Sequence, residues 1–364
     1  MVKQLKIEKI SISGFKSIKT LKDFNLKNIN VLIGVNGAGK SNFVSAFKLL
    51  SKIPKQELQS YIVENGSNPD DYLFMGRKIT NNCTISLKAS RNEYKVILGA
   101  SADNKLYIIS DHGIFDGIYG NFEASITSNA YESNIGQNHK PIVEYTKPIL
   151  FSFKVYHFHD TSINSPIKTP SISSDNIIFK EDGKNIAPFL KMLKESKKED
   201  YQKAYIRILE TVQICLPFFG NFYFRNDENI DLEWFQKGDS ETPLKGKLLS
   251  DGSLRFICLC VALLQPFELM PEVIIIDEPE LGLHPSAIAL LSELIKRASV
   301  KTQIIIATQS TELLNYFEPE DIVTVSRQSN ASVIKRLDNK ELKIWLDDYT
   351  LGEIWSNNIL DDSK

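Results

Sequence analysis

The sequence predicts an α/β protein built around a largely parallel β-sheet, and three observations support this prediction. Residues 28–34, NINVLIG, have the β-branched composition of a short strand and end in glycine. Residues 40–52 then switch to the apolar spacing of a helix. The final third of the chain alternates apolar strands and helices, in the order EVIIID, SAIALLSELIKRAS, TQIIIATQ, STELLNYF and DIVTVSR. This alternation is typical of a parallel sheet that helices cover on both faces.

The remaining elements divide the chain into three predicted parts. Residues 5–13 alternate apolar and polar side chains as a half-buried strand does, and residues 80–156 predict an antiparallel meander. A Ser/Pro-rich loop (163–175) and two helical stretches, NIAPFLKMLKES and EDYQKAYIRILETVQICL, follow. We therefore expect an N-terminal lobe with an antiparallel β subdomain (1–160), a loop and helical insertion (161–245), and a C-terminal lobe (246–364).

The composition is that of a globular protein, with 42% hydrophobic and 24% charged residues. No apolar run approaches the roughly 20 residues of a membrane span. The start of the chain lacks the apolar core of a signal peptide, so we expect a cytoplasmic protein without membrane contact. The net charge of −2 gives no global argument for nucleic acid, although lysines concentrate in the first thirty residues. The cysteines lack metal-ligand spacing and are expected to be reduced thiols: Cys83, Cys215, Cys258 and Cys260.

The segment GVNGAGKS, hereafter the phosphate loop (Gly34–Ser41), matches G-x-x-x-x-G-K-[ST] between a predicted strand and a predicted helix. Its glycines let backbone amides face phosphate oxygens, and the helix N-terminus adds positive potential. Lys40 is expected to reach the β- and γ-phosphates, and the Ser41 hydroxyl to bind Mg²⁺. The residues expected to bind the nucleotide are Gly34, Asn36, Gly37, Ala38, Gly39, Lys40, Ser41 and Asn42.

The segment VIIIDEPE, residues 273–280, supplies the acids that such a site needs. A buried strand that ends in two acids is costly unless a cation or hydrogen bonds compensate. Asp277 fits the Mg²⁺-holding acid of a phosphate-loop ATPase. Glu278 is expected to polarise the attacking water.

Four segments, in this order and spacing, resemble the ABC-type ATPases of the RecF and structural-maintenance-of-chromosomes (SMC) group: GVNGAGKS, LSDGSLRF, IIIDEPELGLHP and IIATQS. The chain also resembles standalone bacterial ATPases of genome-defence loci and the ATPase part of overcoming-lysogenization-defect nucleases, through GFKSIK, VYHFHDTS and LGEIW. The resemblance covers essentially the whole chain. It implies an ABC-type P-loop ATPase head with a mixed core sheet, an antiparallel β subdomain, a helical insertion and no long coiled coil.

The resemblance also assigns a role to the signature turn, defined as Ser250–Ser253. In such ATPases an LSGGQ-like segment caps the γ-phosphate held by a second protomer, so that two ATP molecules lie in a head-to-tail dimer. Here Asp251 replaces a glycine and is expected to point away or to pair with Arg255. The plainer interpretation is a helix N-cap, and the two are compatible. The residues concerned are Ser250, Asp251, Gly252 and Ser253.

Two positions depart from the transporter members of this class. His284 stands where the D-loop of transporters usually has aspartate, and Gln309 stands where a switch histidine is expected. Glutamine can hydrogen-bond a γ-phosphate but carries no proton charge, so we expect slow hydrolysis and no transporter-like cycle. Gln137 is our candidate for the Q-loop glutamine.

His157 and His159 are two residues apart and would share one face of a strand, with Asp160 beside them. Some metal sites need this arrangement. Because no third or fourth ligand is evident nearby, packing or contact with the sheet at the nucleotide site is the favoured interpretation.

Two functions remain open. The first is a Mg²⁺-dependent ATPase that dimerises through ATP, or forms a larger homo-oligomer, and acts in DNA maintenance or anti-phage defence, with DNA as a possible partner. The second is a nucleotide-gated regulatory subunit that holds or releases an effector such as a nuclease or toxin. The chain ends at Lys364 without an appended nuclease motif, so the effector is expected to be a separate protein.

Overall fold

The computed structural model describes residues 5–162, 164–337, 342, 345 and 347–357. Its strands form two large sheets, an antiparallel one near the N-terminus and a mixed one at the centre, with smaller sheets beside them. In chain order the strands are β1 (Lys9–Phe15), β2 (Ile18–Asn25), β3 (Ile29–Ile33), β4 (Asn82–Ala89), β5 (Asn92–Ala100), β6 (Leu106–Gly117), β7 (Gly120–Ala130), β8 (Phe153–Tyr156), β9 (Ser171–Ile172), β10 (Phe219–Tyr223), β11 (Asn229–Ile230), β12 (Glu233–Gln236), β13 (Leu244–Lys245), β14 (Val273–Asp277), β15 (Gln303–Thr308), β16 (Ile322–Gln328) and β17 (Ala331–Arg336).

The helices lie between these strands in the sequence and pack on both large sheets. Their bounds are α1 (Lys40–Lys52), α2 (Leu58–Glu64), α3 (Pro141–Phe151), α4 (Ile186–Glu195), α5 (Glu199–Cys215), α6 (Asp251–Leu264), α7 (Pro285–Ser299) and α8 (Thr311–Leu314), followed by a helix at Leu351–Ser356. Within the described ranges none is longer than the 17 residues of α5. The described part of the chain therefore contains no long coiled coil.

The central sheet has the order β17-β16-β3-β15-β14-β8. The strands from β16 to β8 in this order are parallel, and only β17 pairs antiparallel. Alternate residues of each strand pack into separate apolar clusters on the two faces: Val31 and Ile33 in one, Leu32 in the other. Each fully buried aliphatic side chain contributes about 1.5–3 kcal/mol. The predicted α/β class, with a sheet covered on both faces, is confirmed.

The second large sheet has the order β2-β1-β4-β5-β6-β7 and is antiparallel throughout. The meander over β4, β5 and β6 was expected. Helix α3 was not, because residues 80–156 predict mainly strands. Pro141 sits in its first turn, where a missing N–H costs nothing, whereas Pro148 lies inside the helix and obscures it in the sequence.

The insertion is also less purely helical than the sequence suggests. Besides α4 and α5 it contains a sheet of order β10-β12-β13 and the pair β9–β11. Strands of two to five residues leave little periodic signal, so their pairing depends on contacts distant in sequence. No helix within the described residues is long and apolar enough to cross a membrane.

Candidate nucleotide-binding site

The phosphate loop joins the end of β3 to the start of α1, as the sequence predicts. Gly39 is the N-cap of α1, has a left-handed φ of 117° and offers no side chain to the first amides of the helix. A Cβ at this position would lie 2.0 Å from Ser332 Oγ. Only glycine fits there, and the uncapped amides remain available to an anion.

Lys40 is the buried cation of this loop, with 5% of its surface exposed. Its ammonium donates to Gly34 O at 2.6 Å and to Val35 O at 3.3 Å. Burial lowers the pKa of Lys40, while the carboxylates of Glu278, Asp277 and Glu280 oppose that shift. Two backbone carbonyls therefore hold the Lys40 ammonium beside the acids that follow β14, and phosphate oxygens can replace these carbonyls as acceptors.

A serine that the sequence did not single out fixes the back of the loop. Ser332, on β17, donates to Ala38 O at 2.5 Å and lies 2.7 Å from Ser17 Oγ. Asn42 donates to the same Ser17 hydroxyl at 2.7 Å. These bonds join the phosphate loop, the β1–β2 turn and β17, which are far apart in sequence.

Replacing Ser332 with alanine should loosen the phosphate loop. The loss of its two hydroxyl contacts is expected to lower the free energy of unfolding by about 1–2 kcal/mol and to weaken ATP binding several-fold. Denaturant unfolding and a nucleotide titration measure the two effects. Ser60→Ala is the matched control, because this exposed serine bonds only within its own helix turn, to Glu57 O. Equal nucleotide affinity in both variants would contradict the role of Ser332.

The acid expected to hold Mg²⁺ lies at the end of β14. Burial raises the pKa of Asp277, while the charge of Lys48 and the nearby Ser41 hydroxyl oppose that shift. Its Oδ1 atom is buried and has no hydrogen-bond partner among the described residues. A buried carboxylate oxygen without a partner, close to the Ser41 hydroxyl, fits the oxygen ligands that Mg²⁺ prefers.

Glu278 follows in a strained left-handed conformation with φ of 44°. The Gln309 side-chain amide donates to Glu278 Oε1, so the two residues expected to act on the γ-phosphate and water are already in contact. Backbone strain of this kind is common at functional sites.

Glu280 is an anchor that the sequence analysis missed. Its Oε1 accepts from Thr308 Oγ1 at 2.6 Å and from the backbone N–H of Gln309 at 3.1 Å. Burial raises the pKa of this carboxyl group. Glu280 thereby ties the end of β15 to the loop after β14 and places Gln309 beside Glu278.

The histidines after β8 contact the nucleotide site rather than forming a metal cluster. His159 Nε2 lies 2.7 Å from Asp277 O, and its ring stacks on His157 at 4.4 Å. Lys48 Nζ lies 3.4 Å from His157 Nδ1. Desolvation, and then the Lys48 charge, lower the pKa of His157 to about 4. No group of three potential metal ligands occurs among the described residues.

Gln137 is wrong as the Q-loop residue. It ends the turn Ile135–Gln137, which packs near Pro54 beyond the C-terminal end of α1. The phosphate loop is at the opposite end of that helix. The side chain beside Asp277 is that of His159. It lies there because β8 pairs with β14, a contact that the sequence does not show.

The signature turn begins α6, and Ser250 is its N-cap, accepting from Ser253 N at 3.1 Å. A Cβ on Gly252 would lie 2.1 Å from Gly282 O, so this glycine allows the turn to touch the loop after Glu280. His284, in the same loop, is exposed and caps α7 by accepting from Ser286 N. The predicted cap is therefore present.

Within the described residues, Arg255 makes no hydrogen bond with Asp251, although pairing with Arg255 was one of the two alternatives expected for this acid. Its guanidinium binds backbone carbonyls instead: Phe158 O at 3.1 Å, His159 O at 2.9 Å and Leu281 O at 3.0 Å. Asp251 pairs with Lys168 at 3.0 Å. A planar guanidinium has several donors in fixed directions, and carbonyls from two loops satisfy them.

Comparison with known proteins agrees with this geometry. The family model described as "AAA domain, putative AbiEii toxin, Type IV TA system" matches residues 29–315. An SmcHead bound to the C-winged helix domain of ScpA is similar to this chain with 14% identity and a TM-score of 0.57, covering 92% of this chain and 99% of that one. An Smc head domain with an extended coiled coil, bound to the C-terminal domain of ScpA derived from Pyrococcus furiosus, has 15% identity and a TM-score of 0.54, covering 94% and 99%. Comparison with curated proteins gives no match.

The fold is that of the head domains of SMC proteins, to which this chain is similar. The chain belongs to the AAA-domain family whose model covers its central 29–315 region. At 14–15% identity the SMC heads establish the shared fold alone. The resemblance to the ATPase part of overcoming-lysogenization-defect proteins stays a prediction.

Proposed function

We propose that this protein is a Mg²⁺-dependent ATP hydrolase that encloses two ATP molecules between two copies arranged head to tail. One observation carries the proposal. Ser41, Asp277 and Glu278 lie together with Gln309, whereas Ser250 and Asp251 of the signature turn are exposed. In the described part of the chain, no hydrogen bond of that turn reaches the phosphate loop. A second copy would supply what each site lacks.

The roles follow from the contacts. Lys40 and the amides of α1 bind the phosphates, and Ser41 and Asp277 hold the metal. When bound, Mg²⁺ neutralises phosphate charge and orients the triphosphate. Glu278 accepts a proton as the water oxygen bonds to the γ-phosphorus and the bond to ADP breaks. Gln309 keeps the carboxylate in position through its side-chain amide.

The nucleoside has room beside the phosphate loop. An open cavity of about 500 Å³ is lined by Lys16, Ser17, Asn42, Asp71 and Arg327, among others. Arg327, which lines this cavity, lies 3.5 Å from Gly37 O, so the cavity borders the loop. Its volume is within the usual range for small-molecule sites.

Light scattering of Glu278→Gln tests the dimer. This variant is expected to bind ATP without turnover, so its mass should double only when Mg·ATP is added. Adding Ser250→Arg should abolish the doubling, because a bulky cation would replace the cap at the contact surface. Ser60→Arg, far from the motifs on α2, is the control and should still dimerise.

Other outcomes change the conclusion. A monomer at saturating Mg·ATP would rule out the self-contained sandwich and require a different partner chain. An oligomer whose mass is the same with and without ATP would indicate that ATP acts within an assembly that forms without it.

A second candidate is a nucleotide-gated regulator of a separate effector protein. The family description names a toxin and a toxin–antitoxin system, and the two SMC heads are bound to ScpA. The described helices provide no long arm for enclosing DNA. Copurification from the native host separates the candidates: a stoichiometric second protein supports the regulator, whereas DNA-stimulated turnover by this chain alone supports DNA maintenance or defence on DNA.

A further inference from the structure

Asp251 creates a charge problem in the signature turn. A carboxylate at the second position of the turn stands where the related motif has glycine, and its side chain is 55% exposed. In a head-to-tail dimer this position would approach a triphosphate. Two like charges at close range oppose association unless a cation compensates.

Lys168 is placed to compensate. Its side chain is 11% exposed, and its ammonium donates to Asp251 Oδ1 at 3.0 Å and to Thr161 O at 2.5 Å. The hydrogen bond and charge of Lys168 lower the pKa of Asp251. An ammonium has three N–H donors, so one remains beyond these two bonds in the described part of the chain.

The backbone holds Lys168 at this place. The residue ends a short turn, Pro166–Lys168, and its amide donates to Ser165 O at 3.0 Å. Ile167 beside it is buried in the core. A lysine that is anchored and mostly enclosed next to one carboxylate differs from the exposed ion pairs elsewhere on this surface, such as Lys203–Glu199, with 57% and 78% exposure.

We propose that Lys168 is the charge-balancing residue of the signature turn: it neutralises Asp251 and so allows the turn to accept the γ-phosphate of a nucleotide held by a second copy of this chain. The inference rests on the proposed dimer. Arg255 also places its charge near Asp251, but its guanidinium bonds to three backbone carbonyls and makes no hydrogen bond with Asp251 in the described part of the chain. The net charge at the turn, rather than the identity of either side chain, then controls association.

The test is a charge series in the Glu278→Gln background. We would measure the dimer dissociation constant in Mg·ATP by light scattering over a range of protein concentrations. Lys168→Met leaves one negative charge and should weaken the dimer at least tenfold. Asp251→Gly leaves one positive charge and should dimerise at least as well as the parent. The double variant is neutral again and should return to within about threefold of the parent.

A purely structural ion pair would behave differently, because both single variants would weaken the dimer and the double would not recover. Equal association of Lys168→Met and the parent would also overturn the proposal. Higher salt should reduce the Lys168→Met defect, since screening weakens repulsion. Lys203→Met, which removes an exposed lysine on α5, is the matched control. A parent that stays monomeric would overturn the dimer and this inference together, whereas a dimerising parent with an insensitive Lys168→Met would overturn this inference alone.

Discussion

Replacing Glu278 with glutamine is expected to reduce ATP turnover by about 1000-fold, within the range that a general base contributes. The glutamine side chain keeps the size and the contact with Gln309 but cannot take the proton from the attacking water. ATP binding should persist, because Lys40 and the phosphate loop are unchanged. Phosphate release under single-turnover conditions and a nucleotide titration measure the two quantities separately.

The control for this variant is Glu293→Gln. Glu293 is an exposed glutamate on α7, paired with Lys296, and its loss should leave turnover at the parental rate. Parental turnover in Glu278→Gln would show that another group takes the proton. The carboxyl group to test next would then be that of Glu280, whose Oε1 accepts from the backbone amide of the same glutamine.

Replacing Lys40 with alanine should remove most of the affinity for ATP. Losing one partner of a buried, hydrogen-bonded charge pair costs about 2–5 kcal/mol, so a dissociation constant at least 30-fold higher is expected. Equilibrium binding of a labelled ATP analogue measures this change. Because Lys40 also binds Gly34 O and Val35 O, thermal unfolding should be recorded to confirm that the variant is folded.

Lys52→Ala is the matched control, since Lys52 ends the same helix and forms a partly exposed pair with Glu57. Its affinity for ATP should equal that of the parent. If Lys40→Ala binds ATP normally, the amides of α1 alone would account for phosphate binding.

Local motifs explain what the sequence could predict. The phosphate loop and α1 follow from glycine and helix-start signals within about twenty residues, and the end of β14 follows from an apolar run closed by Asp277 and Glu278. The Ser250 cap is equally local. In each case the residues that predict the element lie within one strand–turn–helix unit.

Contacts between distant segments explain what the sequence could not predict. Ser332 bonds the phosphate loop across 294 residues, and His159 reaches Asp277 across 118. The Lys168–Asp251 pair spans 83 residues, whereas Arg255, the possible partner that the sequence suggested, lies in the same helix as Asp251. Single-sequence patterns carry no signal for such pairs, because each residue type there is common on protein surfaces.

The order of strands in the central sheet has a consequence for synthesis on the ribosome. The six strands of the antiparallel sheet, β1, β2 and β4 to β7, all emerge within the first 130 residues and can pair early. By contrast, β3 lies between β15 and β16, and the bonded residues Asn30 and Ile304 are 274 positions apart. At roughly 5–20 residues per second, the strand leading into the phosphate loop waits about 14–55 s for its neighbour. A nascent chain shorter than about 310 residues should therefore bind no nucleotide, so ATP binding becomes possible only late in synthesis.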